Sequence, residues 1–394
     1  RQAPGITLPA SLIRSELRTL EATERAHEQI RRWEQTLISE LGSAALLSVR
    51  EEVALAPGAG PAAAAPESRD FFAPALSCSL DDTESVRANL VYESDHLIAY
   101  QDSLQAEDTP VSENLFQRMS EYYAMYGEQV IEDYFGGISD IDGNGKIIVF
   151  VTEQPEELET PAAAFVLGRD LYDQSQCPAS NEAEMTYFDA DVILAMDSST
   201  PTFQALGTLV HEVKHISSLY NRIQAGGASH DTWIEEGTAD IAAEVSSRLA
   251  WADSGGPAVD ETMNRADHFP SGTNIGAANW GVVLRMARTI LTLSSQPNGL
   301  TADPAEADQG HTFYGSSWHF HRFLGDAYYG GMLADSAFFR RQNESENLVG
   351  VGFLEDERGK SLETLQEEMV LASLVNGTGA EGSVTSHAII WSCM

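Results

Sequence analysis

The chain has 394 residues, 43% of them apolar, enough to bury a sizeable core in one large domain or in two. Its formal charge is -37, from 60 acidic and 23 basic residues, and so acidic a chain repels phosphate backbones, which argues against nucleic-acid binding. No stretch approaches the ~20 uninterrupted apolar residues of a membrane helix, so no membrane span is expected.

Only Lys146, Lys214 and Lys360 are lysines. A surface this acidic and lysine-poor fits a protein working in salt, or equally a genome that favours arginine. The first residue is Arg1, with no leader pattern before the fold, which reads as a processed secreted or extracellular protein. Of three cysteines, Cys78 and Cys177 are the expected disulfide pair, because Cys393 sits at the extreme end.

In chain order, residues 11–42 predict a long helix. Leu12, Leu17, Leu20, Ile30, Trp33, Leu37 and Leu41 recur there at roughly helical spacing. Ala45–Leu55 reads as a strand, and GAGPAAAAPESRD (58–70) as a flexible connector. Phe71–Leu80, Val86–Tyr92 and His96–Gln101 read as strands. Ser112–Phe135 reads as an amphipathic helix, with Leu115, Met119, Tyr122, Tyr126, Val130 and Tyr134 near one face. Lys146–Thr152 is a buried-strand candidate, and Met185–Met196 a further strand or pair. Helices are expected at 202–224, 232–250, 276–296, 312–328 and 360–375. Strands first and helices later indicate an α+β fold with a mixed sheet and a mainly helical second half.

The segment LGTLVHEVKHISSLY (206–220) carries the chemistry. Leu206, Leu209, Val210, Val213 and Ile216 form an apolar stripe, so the segment is a helix with a buried face. His211 and His215 are four apart and project from one side. Two neutral imidazoles so placed can chelate one Zn²⁺. Glu212, one residue round, can reach a metal-activated water without ligating the metal, where a general base belongs. Chance supplies such a pentapeptide in a chain of this composition about 0.02 times. Lys214 is the discordant residue inside it, and can point to solvent.

Twenty-one residues after His215 comes Glu236, in TWIEEGTADIAAEV (232–245). Glu236, Asp240 and Glu244 share a helix face at i, i+4 and i+8. Glu236 would be the third ligand, and Asp240 would accept the free ring N–H of a ligand histidine, His211 being the first choice. Three protein ligands leave one position open, the mark of a catalytic rather than a structural site.

HEVKH followed by EGTAD resembles the HExxH…ExxxD pattern of gluzincin zinc metallopeptidases. SNEAEMTYFDAD (180–191), DTWIEEGTAD and FYGSSWHFHRFLGDAYYG (313–330) are similar to the hyicolysin-type neutral zinc metallopeptidases, over about residues 71–378. The resemblance implies a zincin-like fold, a protein or peptide substrate, and Tyr314 as donor to the oxyanion, the alternative for Tyr314 being a packed aromatic. Domain boundaries follow: 1–57 an N-terminal helical accessory or pro-segment, 58–70 a linker, 71–378 the catalytic domain, 379–394 a tail or the start of a further element. His230, His319 and His321 read mainly as surface or packing groups.

SDIDGNGKI (139–147) offers Asp140, Asp142 and Asn144 at alternate positions, like the start of a calcium loop. Position twelve would be Val151 rather than a bidentate glutamate, so a full EF-hand is excluded, leaving a partial Ca²⁺ loop or a tight turn. The expected function is a zinc endopeptidase with Glu212 as general base. The alternatives are a surface or filament-associated structural protein on a peptidase scaffold, and a zinc hydrolase of non-peptide bonds.

Overall fold

The computed structural model describes residues 10–42, 64–158, 162–198, 203–225, 229–256, 258–259 and 314–375. The expected strand at Ala45–Leu55, the helix at 276–296, Cys393 and the segment 379–394 lie outside them.

The described elements form a mixed α+β structure. A first helix, α1 (Ala10–Leu41), precedes a six-stranded sheet. The strands are β1 (Ser68–Phe72), β2 (Ser85–Glu93), β3 (Leu97–Asp102), β4 (Ile147–Thr152), β5 (Ala164–Phe165) and β6 (Met185–Asp189), in the order β1-β2-β3-β4-β6-β5. The pairs β1/β2, β2/β3 and β5/β6 are antiparallel, while β3/β4 and β4/β6 are parallel. Every residue of β3 and β4 is buried, as expected for strands covered on both faces. Leu97, Ala99, Ile147, Val149 and Val151 face one core, and Ile98, Tyr100, Ile148 and Phe150 the other. The period-two alternation therefore splits the apolar content between two layers.

Helices α2 (Glu113–Tyr122) and α3 (Glu128–Phe135) are joined by a π-helical turn at Tyr123–Gly127. The expected single helix over 112–135 is thus interrupted. The wider turn shifts the phase of the apolar face, leaving Tyr126 half-buried with its hydroxyl on Asp253 at 2.8 Å. Then come α4 (Ala190–Ser198), α5 (Phe203–Gln224), α6 (Thr232–Asp253), α7 (Tyr314–Tyr328), α8 (Ser336–Glu344), α9 (Gly350–Arg358) and α10 (Leu362–Val375).

Three expectations are corrected locally. The strand expected at Phe71–Leu80 ends at Phe72, because the next residues wrap the buried Arg169 guanidinium, which donates to the carbonyls of Ala73, Ala75 and Ser77. The strand begins at Ser68, inside the expected connector. The strand reading of Met185–Met196 holds only to Asp189, whose Oδ1 accepts the Val192 N–H at 3.0 Å and caps α4. Cys78 and Cys177 form a disulfide across 99 residues of sequence.

Two features bring the chemical residues together. Helix α5 buries Leu206, Leu209, Val210 and Val213 in the main core, and Ile216, Leu219 and Ile223 in a smaller one shared with Leu37 and Ile38 of α1. Helix α6 lies against both α5 and α7. At Gly237 a Cβ would come within 2.0 Å of Ser317 Oγ and 3.0 Å of the Ser317 carbonyl carbon, so only glycine permits this approach of α6 to α7.

Candidate metal centre

HEVKH occupies the middle of α5, and Glu235 and Glu236 lie in the first turns of α6. His211, Glu212, His215 and Glu236 are all buried. Glu236 Oε2 lies 3.1 Å from His211 Nε2 and 3.4 Å from His215 Nε2. A zinc ion with ligands at ~2.0–2.1 Å in tetrahedral geometry needs donors about 3.3–3.4 Å apart, close to the distance of each histidine nitrogen from Glu236 Oε2.

The opposite ring nitrogens explain which atoms face the centre. His215 Nδ1 is 2.9 Å from Glu235 Oε1, and His211 Nδ1 is 3.5 Å from Asp240 Oδ1. Each carboxylate can only accept from a ring N–H, which places the lone pair on the other nitrogen. His215 Nε2 is buried and has no hydrogen-bond partner. Lone pairs of two imidazoles thus converge on a carboxylate oxygen, which is repulsive unless a proton or cation lies between them.

Electrostatics follow from this crowding. Burial alone would raise the Glu236 carboxyl, but the charges of His215 and His27 and the hydrogen bond with His211 hold it well below the usual carboxylate range. Burial alone would lower His211, yet hydrogen bonds to Asp240 and Glu236 and the charge of Glu212 raise it to about 9. A metal ion held by His211 would have to displace a proton from it at neutral pH. Glu212 Oε2 is buried without a hydrogen-bond partner, and the Glu212 charge acts on His211 and Arg31.

The surroundings contain groups that sequence reasoning missed or misplaced. Lys214 does not reach solvent. It is 1% exposed, with Nζ 2.9 Å from Glu235 Oε1 and 3.2 Å from the Glu235 carbonyl oxygen. The pairing compensates the burial, which lowers the Lys214 pKa. Glu235 also accepts from Ser218 Oγ at 2.8 Å, so it anchors His215, Lys214 and Ser218 together. The buried charge at Lys214 was the available signal for such a partner.

Helix α1 supplies the largest surprise. His27 Nδ1 lies 3.3 Å from Glu236 Oε2, and Arg31 Nε donates to Glu236 Oε1 at 3.1 Å. One donor atom each from His27, His211 and Glu236 lies within 4.8 Å of the others, a group able to hold a metal ion. No motif marks His27 or Arg31 in the sequence.

Tyr314 is 3% exposed and its ring centroid is 6.3 Å from that of His211. Its hydroxyl makes a short hydrogen bond with His27 Nδ1. Glu244, third in the α6 carboxylate row, accepts from Trp318 Nε1 at 2.9 Å. His230, His319 and His321 are buried, and burial lowers them to about 3, 3 and 4. They are neutral packing groups, and His230 Nδ1 accepts the Gly350 N–H.

The acidic loop forms a separate cluster. Donor atoms of Asp140, Asp142 and Glu184 lie within 4.8 Å of one another. Asn144, an expected oxygen donor, instead uses its side chain within the turn, donating to Asp142 Oδ2 at 2.6 Å and accepting the Lys146 N–H at 2.5 Å. Gly143 and Gly145, at φ 70° and 67°, make that turn possible. Glu184, 1% exposed, reaches the cluster from the start of β6. Its Oε1 accepts the Ile141 N–H at 2.9 Å, its Oε2 has no hydrogen-bond partner, and burial raises the carboxyl to about 7.

No family model matches the chain. Over 135 residues the chain is 24% identical to the neutral metalloprotease ShpI of Staphylococcus hyicus. The match covers 33% of this chain and 30% of that protein. A distant metalloprotease relationship is supported, together with a His/Glu group able to hold a metal. No helix among the described residues is long and apolar enough to cross a membrane.

Proposed function

We propose that the chain is a zinc-dependent endopeptidase of the gluzincin type, on a zincin-like catalytic domain covering 71–378. The observation that carries the reading is the convergence of His211 Nε2 and His215 Nε2 on Glu236 Oε2, with each opposite ring N–H held by a carboxylate. His211, His215 and Glu236 are the ligands, and Asp240 and Glu235 orient the two rings. When bound, zinc supplies Lewis-acid polarisation of a water and of the peptide carbonyl. Glu212 takes the proton of the attacking water and passes it to the leaving amine. The Tyr314 phenol donates to the oxyanion once its hydroxyl is released from His27. The similarity to a neutral metalloprotease supports a protein or peptide substrate, and the Cys78–Cys177 disulfide supports a secreted or extracellular setting.

Zinc-loaded protein should cleave an unstructured protein such as casein, and a chelator should abolish cleavage until zinc is restored. Stoichiometric zinc without cleavage would favour the structural or binding role instead.

The Asp140–Asp142–Glu184 cluster is a candidate Ca²⁺ site. Three carboxylates in mutual reach, one with a buried oxygen lacking a donor, suit a hard cation with oxygen ligands. Ca²⁺ should raise the melting temperature of the wild type. Saturation at a hundredfold excess over Kd stabilises by roughly 2.7 kcal/mol. In Glu184→Gln the Ca²⁺-dependent rise should disappear. A rise of equal size in that variant would remove Glu184 from the site.

A further inference from the structure

Helix α1 does more than cover the core. It engages three parts of the proposed centre at once.

The first is the metal position. His27 Nε2 lies 3.1 Å from the Ala164 carbonyl oxygen, which can only accept, so Nε2 carries the ring proton. The lone pair is then on Nδ1, the atom 3.3 Å from Glu236 Oε2 and within the donor group of His211 and Glu236. The imidazole presents itself as the two histidines of α5 do, with one nitrogen anchored and the other turned inward.

The second is the catalytic side chains. The Tyr314 hydroxyl donates to the Nδ1 lone pair of His27, which a metal ion would take in its place, and Glu24 Oε1 accepts the Tyr314 backbone N–H at 3.2 Å. Arg31 binds the far oxygen of Glu236 and is paired with Glu34. Its positive charge lies next to where a metal cation would sit, and it acts on Glu212, Glu235 and Glu236.

The third is the sheet edge. Strand β5 is last in the sheet order. An edge strand presents unpaired N–H and C=O groups that an extended peptide can pair with. Here α1 takes the Ala164 carbonyl of β5 and two backbone groups that flank the strand. His27 bonds the Ala164 carbonyl, Glu34 Oε1 accepts the Gly168 N–H at 2.9 Å, and Gln29 donates to the Glu157 carbonyl at 2.6 Å.

We propose that α1 is a built-in plug of this centre. His27 adds a fourth protein donor where catalysis needs an open position, and α1 side chains hold the edge on which an extended peptide would lie. Molecules with α1 seated are inactive, and the turnover of the wild type comes from the minority in which α1 has left. This rests on the zinc centre proposed above. It extends that proposal by naming the group that closes the centre and the extended, strand-pairing substrate that replaces it.

Zinc K-edge X-ray absorption on the full-length chain loaded with one zinc tests this directly. Three imidazoles are expected in the wild type and two in His27→Ala. Casein turnover per bound zinc should rise roughly tenfold or more in His27→Ala and in Arg31→Ala, because the blocked state no longer dominates the population. Two imidazoles in the wild type overturn the plug and leave the three-ligand centre standing. A wild type that takes up no zinc overturns both. The wild-type ligand count decides the matter even if His27→Ala folds poorly, and unchanged turnover per zinc in a folded Arg31→Ala also counts against the plug.

Discussion

Glu212→Gln is expected to keep its zinc and lose its hydrolysis. The carboxylate is buried, and Oε2 has no hydrogen-bond partner in the resting structure. An amide of the same shape therefore breaks no hydrogen bond at that oxygen and removes only the ability to accept a proton. A positioned general base is worth about 10²–10⁴-fold in rate. The expected kcat falls by that factor while metal content and melting temperature stay near wild type. Near-normal turnover at full zinc content would dismiss Glu212 as the base. Loss of zinc along with activity would instead make Glu212 part of the ligand set.

Glu236→Ala should be the more damaging change, because it removes the anion around which the site is built. The same carboxylate faces His211 and His215 through Oε2 and pairs with Arg31 through Oε1. Its loss leaves the buried Arg31 with Glu34 as its remaining ion-pair partner among those named and takes away the proposed third metal donor. Breaking a buried pair from one side costs about 3–5 kcal/mol. Zinc content should fall well below stoichiometric, and the melting temperature should fall with it. Glu236→Gln separates the two effects, since the amide oxygen can still accept from Arg31 but carries no charge for the metal. Full zinc content in both variants would move the third ligand elsewhere. Glu235 is poorly placed for that role, since its carboxylate is already committed to Lys214, His215 and Ser218.

Much of the secondary structure was legible because its signals are local. Helix periodicity in LGTLVHEVKH and in TWIEEGTADI located α5 and α6 almost to their ends, and the buried run at Lys146–Thr152 located β4. The misreadings have tertiary causes. Phe71–Leu80 looks extended, but Arg169, about ninety residues on, draws its carbonyls into a turn. The π turn in the 112–135 helix leaves no mark that propensity can read. Lys214 looked like a solvent residue because its partner Glu235 is on another helix.

Within the candidate site, the i, i+4 pair His211 and His215 follows from helix geometry alone, and so does the alignment of Glu236 with Asp240 and Glu244. Those residues could be named from the sequence because the spacing of an α-helix decides which side chains share a face. Tertiary structure alone decided what lies opposite. His27 and Arg31 approach Glu236 across more than two hundred residues of sequence, and Glu184 reaches the acidic loop from the residue that precedes β6. Such contacts depend on how apolar faces pack, and one helix face can be covered by many partners with little change in composition. Helix α1 could be read as a helix from its own periodicity, whereas its seat over the histidines depends on the shape of the groove formed by α5, α6 and the edge of the sheet.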